Sequence, residues 1–93
     1  MGVVTFVDET TSGGRGSGRV LEVAEERLTV RELIRRWALQ EGAGHQEPAL
    51  RAFAGNGLLV LVGDRQMTGL DEEVLVGPGV EVTFLRLVPL AGG

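Results

Sequence analysis

The chain has 93 residues, 43% of them hydrophobic, and a formal net charge of −4. That length fits one domain with a small core, and the composition is too apolar for a disordered chain. With no cysteine, disulfides, thiolate metal sites and cysteine catalysis are excluded, and the acidic balance repels phosphate backbones, so nucleic acid is not an expected partner. The aromatics are only Phe6, Trp37, Phe53 and Phe84, so the core must rest on Val, Leu and Ile. All nine basic residues are arginine. The chain therefore has no lysine amine to receive an isopeptide bond.

Residues 3–7 are β-branched and aromatic and predict a strand. The glycine-rich run 12–18 predicts a flexible loop, and residues 19–24 a second strand, making an antiparallel hairpin. Thr29-Val30-Arg31-Glu32 has the form of a capping box, in which the Thr hydroxyl and the Glu carboxylate each accept a backbone N–H at the helix start. Val30, Leu33, Ile34 and Trp37 follow at i, i+3, i+4 and i+7, the stripe of a helix with one buried face. Gly42 and Gly44 end that helix.

Pro48 suits the first turn of a short helix through residue 54, and Asn56-Gly57 is a turn. The run 58–62 is short and apolar enough for a buried strand. Gly63-Asp64-Arg65 turns the chain and residues 66–68 pair back. Residues 70–76 form a connection carrying Asp71-Glu72-Glu73. Gly77-Pro78-Gly79 is a turn, and residues 80–88 the last strand, with Val80, Val82 and Phe84 on one face and Glu81 and Thr83 on the other. One main helix covers one sheet face, so the expected class is α+β, with a mixed sheet of four to five strands.

Few residues suggest chemistry of their own. The run Gly13-Gly14-Arg15-Gly16-Ser17-Gly18 resembles a phosphate-cradling loop, but such loops lead into a helix and end in Lys-Ser/Thr. Here a strand follows. His45 is the single histidine, with no second imidazole or thiolate to build a metal site. Three consecutive carboxylates at 71–73 do not converge on one face and read as a solvated turn. Trp37 closes an apolar stripe and reads as core. The expectation is a protein that is not an enzyme and binds no cofactor or metal. No segment is long and apolar enough to span a membrane, and the N-terminal residues lack the basic start and apolar run of a signal peptide. A cytoplasmic, membrane-free protein is expected.

The last stretch, VEVTFLRLVPLAGG, is different. Two glycines bury nothing and cost entropy to order. A frayed terminus is one reading. The other is that a narrow peptide threads a tight channel to an adenylating active site.

These features resemble the β-grasp superfamily, which contains ubiquitin and the bacterial sulfur carriers of thiamine, molybdopterin and cysteine synthesis. The resemblance covers nearly the whole chain and rests on three stretches. They are the helix opening Leu28-Thr29-Val30-Arg31-Glu32-Leu33-Ile34, the hairpin Val60-Leu61-Val62-Gly63-Asp64-Arg65, and Val76-Gly77-Pro78-Gly79-Val80-Glu81-Val82-Thr83-Phe84 with the Ala91-Gly92-Gly93 ending. It implies a β-grasp domain over residues 1–88 and a flexible tail over 89–93. It also implies that a partner enzyme uses ATP to adenylate the Gly93 carboxylate, with Gly92 beside it. In the sulfur carriers the product becomes a thiocarboxylate that donates sulfur to a downstream enzyme; in the modifiers it becomes a thioester and then an amide on a target protein. Pro89, Leu90 and Ala91 would be held by the partner. Leu85 and Leu87 leave the inward face set by Val82 and Phe84, and either form an exposed apolar patch for a partner or pack at an edge of the sheet. Between Phe84 and Ala91 the tail is longer than in the molybdopterin carriers and closer in character to that of ubiquitin. Three functions stand side by side: sulfur carrier, protein modifier, and a β-grasp interaction domain whose tail is never activated.

Overall fold

Beyond Val7 the residues Asp8-Glu9-Thr10 are all polar, yet the first strand runs through them. In the computed structural model, which describes residues 2–11, 16 and 18–87, β1 is Gly2–Thr10 and β2 is Arg19–Val23. They pair antiparallel from Gly2↔Val23 to Phe6↔Arg19. Past Phe6, β1 is held from its other side by the last strand, β7 (Glu81–Arg86), which runs parallel to it from Thr5↔Glu81 to Thr10↔Arg86. Backbone pairing on that second edge carries β1 past the end of its apolar run.

Between β2 and β7 come β3 (Arg27–Thr29), α1 (Val30–Leu39), α2 (Gln46–Ala54), β4 (Leu58–Val62), β5 (Arg65–Met67) and β6 (Glu73–Leu75). The main sheet has the order β2-β1-β7-β4-β5, and β3 and β6 form a separate two-stranded sheet. β4 is antiparallel to both β7 and β5. The class is therefore α+β with a five-stranded mixed sheet, as expected, and β7 lies at its centre. Leu85 accordingly sits in the middle of the sheet and not at an edge.

The helical stripe is buried as its spacing requires. Val30, Leu33 and Ile34 are 0% exposed and Trp37 4%. Burial of each such side chain contributes roughly 1.5–3 kcal/mol. They pack with Val4, Phe6, Leu58, Val60, Val82 and Phe84 of the sheet in one core. Phe84 is its aromatic centre, edge-on to Phe6 at 5.0 Å between ring centroids and stacked on Trp37 at 4.6 Å.

Several local details differ from expectation. The capping box is half formed. Glu32 N–H donates to Thr29 Oγ1 at 3.2 Å, but the Glu32 carboxylate turns to Arg36 at 3.1 Å. Thr29 belongs to β3 and pairs with Glu73 there, and a guanidinium one turn along the helix is a stronger partner for a carboxylate than an amide. The first two helical amides are satisfied from elsewhere: Val30 N–H donates to Glu72 O and Arg31 N–H to Leu70 O. The connection 70–76 thus contains a strand and caps the helix.

The acidic run is a solvated turn at Asp71, whose side chain is 86% exposed, and passes into β6 at the exposed Glu73, while Glu72 is tied to the backbone. Asp71 pairs with Arg31 at 2.9 Å, and Glu73 lies 3.8 Å from Arg27. Glu72 accepts from the amides of Thr68 and Gly69, both at 2.8 Å. Those two amides, with Arg65 nearby, hold its carboxyl below the usual carboxylate range. Thr83, on the face away from the helix, is still only 7% exposed. Strands on both sides shield it, with Val7 and Leu61 as its neighbours in register.

The second helix starts two residues before Pro48, which stands within its first turn. A 3-10 turn, Ala43–His45, leads into it from Gly42, whose φ of 134° is open to glycine. Asn56 takes φ 63° in the turn into β4, a conformation that asparagine tolerates. Gly63 has φ 63°, as a two-residue hairpin loop with glycine first requires. β5 begins one residue earlier than expected because Arg65 already pairs with Val62.

Candidate functional site

The end of β7 is where the chain passes toward residues 89–93, and it is fixed from three sides. Thr11 N–H donates to Arg86 O at 3.1 Å and Leu87 N–H to Gly57 O at 3.0 Å. The Arg86 guanidinium lies 5.0 Å from the Trp37 ring centroid and pairs with Glu41 at 3.1 Å. Stacking on an indole is a cation–π contact, of about 0.5–1 kcal/mol at exposed sites. Trp37 is oriented in turn, since its Nε1–H donates to Asp8 Oδ1 at 2.5 Å while Arg19 holds Asp8 Oδ2 at 3.2 Å. Arg86, Trp37, Asp8 and Arg19 form one chain of contacts from the last strand through α1 to the first hairpin.

Beside this root lies an open groove of about 440 Å³. Trp37 and Ala38 of α1, Ala49 and Ala52 of α2, Leu58 of β4 and Leu87 line its apolar part. Glu41, His45 and Arg86 stand among its polar lining residues. The groove exists because Ala38, Ala49 and Ala52 are small at facing positions of the two helices. Sequence reasoning passed over it. The signal was present in the two alanines three apart on α2, but they do not reveal what they face until the helices are packed.

The residues singled out in the sequence are not all brought together. Leu85 is half-buried on the sheet face away from the helix, in register with Glu9 and Leu59. Leu87 is 39% exposed and lines the groove instead. Pro89, Leu90, Ala91, Gly92 and Gly93 lie outside the described residues. His45 is exposed at the groove. Among the described residues no group of three or more His, Cys, Asp or Glu can hold a metal ion. No helix among the described residues is long and apolar enough to cross a membrane.

Other charged groups serve the frame. Arg36 bridges Glu25, at 2.6 Å, and Glu32, at 3.1 Å. Hydrogen bonding to Arg36 holds the Glu25 carboxyl below its usual range, and the two carboxylates raise the Arg36 guanidinium. No family model matches the chain, no curated protein matches it, and no solved structure matches it.

Proposed function

We propose that this chain is a β-grasp carrier protein that works through the carboxylate of Gly93. The observation that carries the proposal is the position of β7. It is the central strand, parallel to β1 and antiparallel to β4. A strand gripped on both edges gives the residues beyond it a fixed point of departure, which suits a tail that another protein must find and thread. The hairpin at one side, the helix across one face and the last strand inserted beside the first also agree with the arrangement that the family resemblance implies.

In this reading a partner enzyme binds ATP, and the Gly93 carboxylate oxygen attacks the α-phosphorus. Pyrophosphate leaves and an acyl-adenylate forms. Hydrosulfide then attacks the acyl carbon and displaces AMP, leaving a thiocarboxylate for a downstream sulfur-accepting enzyme. The chain itself binds no cofactor in this scheme. The second reading is a modifier: a partner thiol takes the acyl group as a thioester and a target amine takes it as an amide. The missing lysine argues against chains of this protein linked through its own lysines, and leaves other targets open. The cytoplasm, where ATP and such partners are available, is the proposed location.

The test is intact mass spectrometry of the purified chain incubated with a candidate activating enzyme, ATP and a sulfide source. A gain equal to one oxygen-to-sulfur exchange at Gly93 is the expected result for a carrier. Adducts on other proteins select the modifier. If removal of Gly92 and Gly93 changes neither activity nor phenotype, the proposal is lost.

A further inference from the structure

β2 forms one edge of the main sheet, and among the described residues no strand pairs with its outer side. Which backbone groups point outward follows from the hydrogen bonding of β1. Thr5 N–H donates to Val80 O on the β7 side, and Asp8 O accepts from Gly16 N–H on the other. Odd-numbered residues of β1 therefore bond toward β7 and even-numbered ones toward β2. The partners of Gly2, Val4 and Phe6 are Val23, Leu21 and Arg19, so these three bond back to β1. In an antiparallel ladder the residues between them turn their groups the other way. The N–H and C=O of Val20 and of Glu22 thus face outward.

Unpaired edges are commonly blunted by charge, proline or a bulge. Here Val20 is 68% exposed, and Leu21, which shares the helix-side face with Val4, is half-buried. A groove of about 420 Å³ runs between β2 and α1, with Leu21 and Val23 on one wall and Arg36, Leu39 and Gln40 on the other. Leu39 is 52% exposed. β5, at the opposite edge, has only three residues, and Arg65 and Gln66 are its exposed side chains. The charge around β2 is one-sided. Arg36 answers two carboxylates at once, Glu25 and Glu32, Arg19 is taken by Asp8, and among the described residues Glu22 has no ion-pair partner.

We infer that the outer edge of β2 is an interaction surface for an extended segment of a partner protein, which adds to the sheet as a further strand. Its backbone pairs with the outward groups of Val20 and Glu22, and alternate side chains enter the groove between Leu21 and Leu39. The segment is apolar on that side and basic where it passes Glu22 and the Glu25–Arg36–Glu32 group. A second copy of this chain fits less well, because it brings the same surplus carboxylates to the same edge. The surface requires no activation of Gly93.

The experiment uses the full chain, labelled for NMR, and a capped synthetic peptide of alternating valine and threonine with arginine at both ends. In the chain alone the amides of Val20 and Glu22 are expected to exchange with solvent faster than those of Leu21 and Val23. The peptide is expected to slow exchange at Val20 and Glu22 and to shift the Leu39 methyls, saturably. Glutamate in place of the terminal arginines should weaken binding several-fold, and N-methylation of alternate peptide amides should abolish it. Val20→Pro removes an outward N–H and none of the bonds to β1, so it should lose binding with Trp37 fluorescence unchanged. Leu39→Gln, at an exposed position, should weaken binding several-fold without touching the edge. Val20 and Glu22 amides already protected in the dilute chain overturn the inference, as does protection that vanishes on dilution, which makes the occupant a second copy. So does equal binding of the N-methylated peptide, or the absence of any saturable response to the arginine-ended peptide at millimolar concentration. Removing Gly92 and Gly93 is expected to leave binding unchanged, and a failure to bind leaves the mass-spectrometric test of activation untouched.

Discussion

Phe84 is the residue on which the sheet and the helix meet, and shortening it to leucine tests the packing directly. The side chain is 0% exposed, lies on the central strand, and contacts Phe6 edge-on and Trp37 face-on. Phe84→Leu removes two aromatic contacts, each about 0.5–1.5 kcal/mol beyond area burial, and leaves a branched side chain where a flat ring stacked. A loss of ~1–3 kcal/mol follows from these contacts. A domain of this length has a total stability of roughly 5–14 kcal/mol, at about 0.05–0.15 kcal/mol per residue. The variant should therefore fold, with its melting temperature lowered by about 4–24 °C, at ~4–8 °C per kcal/mol. Trp37 is the single tryptophan, so urea unfolding followed by its fluorescence reads the region being perturbed. The control is Leu85→Ala, next along the strand but half-buried on the face away from the helix. If the two variants lose equal stability, or Leu85→Ala loses more, the helix-side face is not the dominant core and the reasoning fails.

Three further outcomes follow from local geometry. Thr29→Ala removes the hydroxyl that accepts from Glu32 N–H and should cost ~1 kcal/mol in urea unfolding; the amides of Val30 and Arg31 keep their carbonyl partners, so a loss several-fold larger would contradict the capping scheme. Gly42→Ala places a side chain at φ 134° and should cost about 1–3 kcal/mol, read as a lower melting temperature; a neutral result would mean that the turn into α2 relaxes freely. Glu72 has a carboxyl held below its usual 4.5 in the folded chain. Its contribution is therefore present above that value and is lost as pH falls through the depressed folded one. Glu72→Gln should flatten the acid limb of stability below about pH 4.5 while changing little of its shape near neutrality, and an unchanged acid limb in pH-stepped denaturation would refute the role given to the Thr68 and Gly69 amides.

Much of the architecture was legible in the residues, and the reason is local. The helix at Val30 declared itself through a cap and a stripe whose members all became core, because a 3.6-residue period has meaning only if one face is buried. The hairpin at Gly63 and the turn at Asn56 were legible because backbone conformations with positive φ restrict which residues can stand there. The short strands β3 and β6 were not. Three residues are too few to show a period, and they are strands only because Leu28 and Val74 pair across the chain.

What the sequence determined by itself was therefore the set of strong local elements and the helix face that is buried. What only the tertiary structure decided was partnership: β7 at the centre of the sheet, Glu32 drawn to Arg36 and away from its own helix start, Glu72 bound to the amides of Thr68 and Gly69. The groove beside Leu87 belongs to this second group. Its walls are contributed by the successive elements α1, α2 and β4 together with Leu87, and the space between small side chains arises only when these elements are packed, with no signature in any one of them.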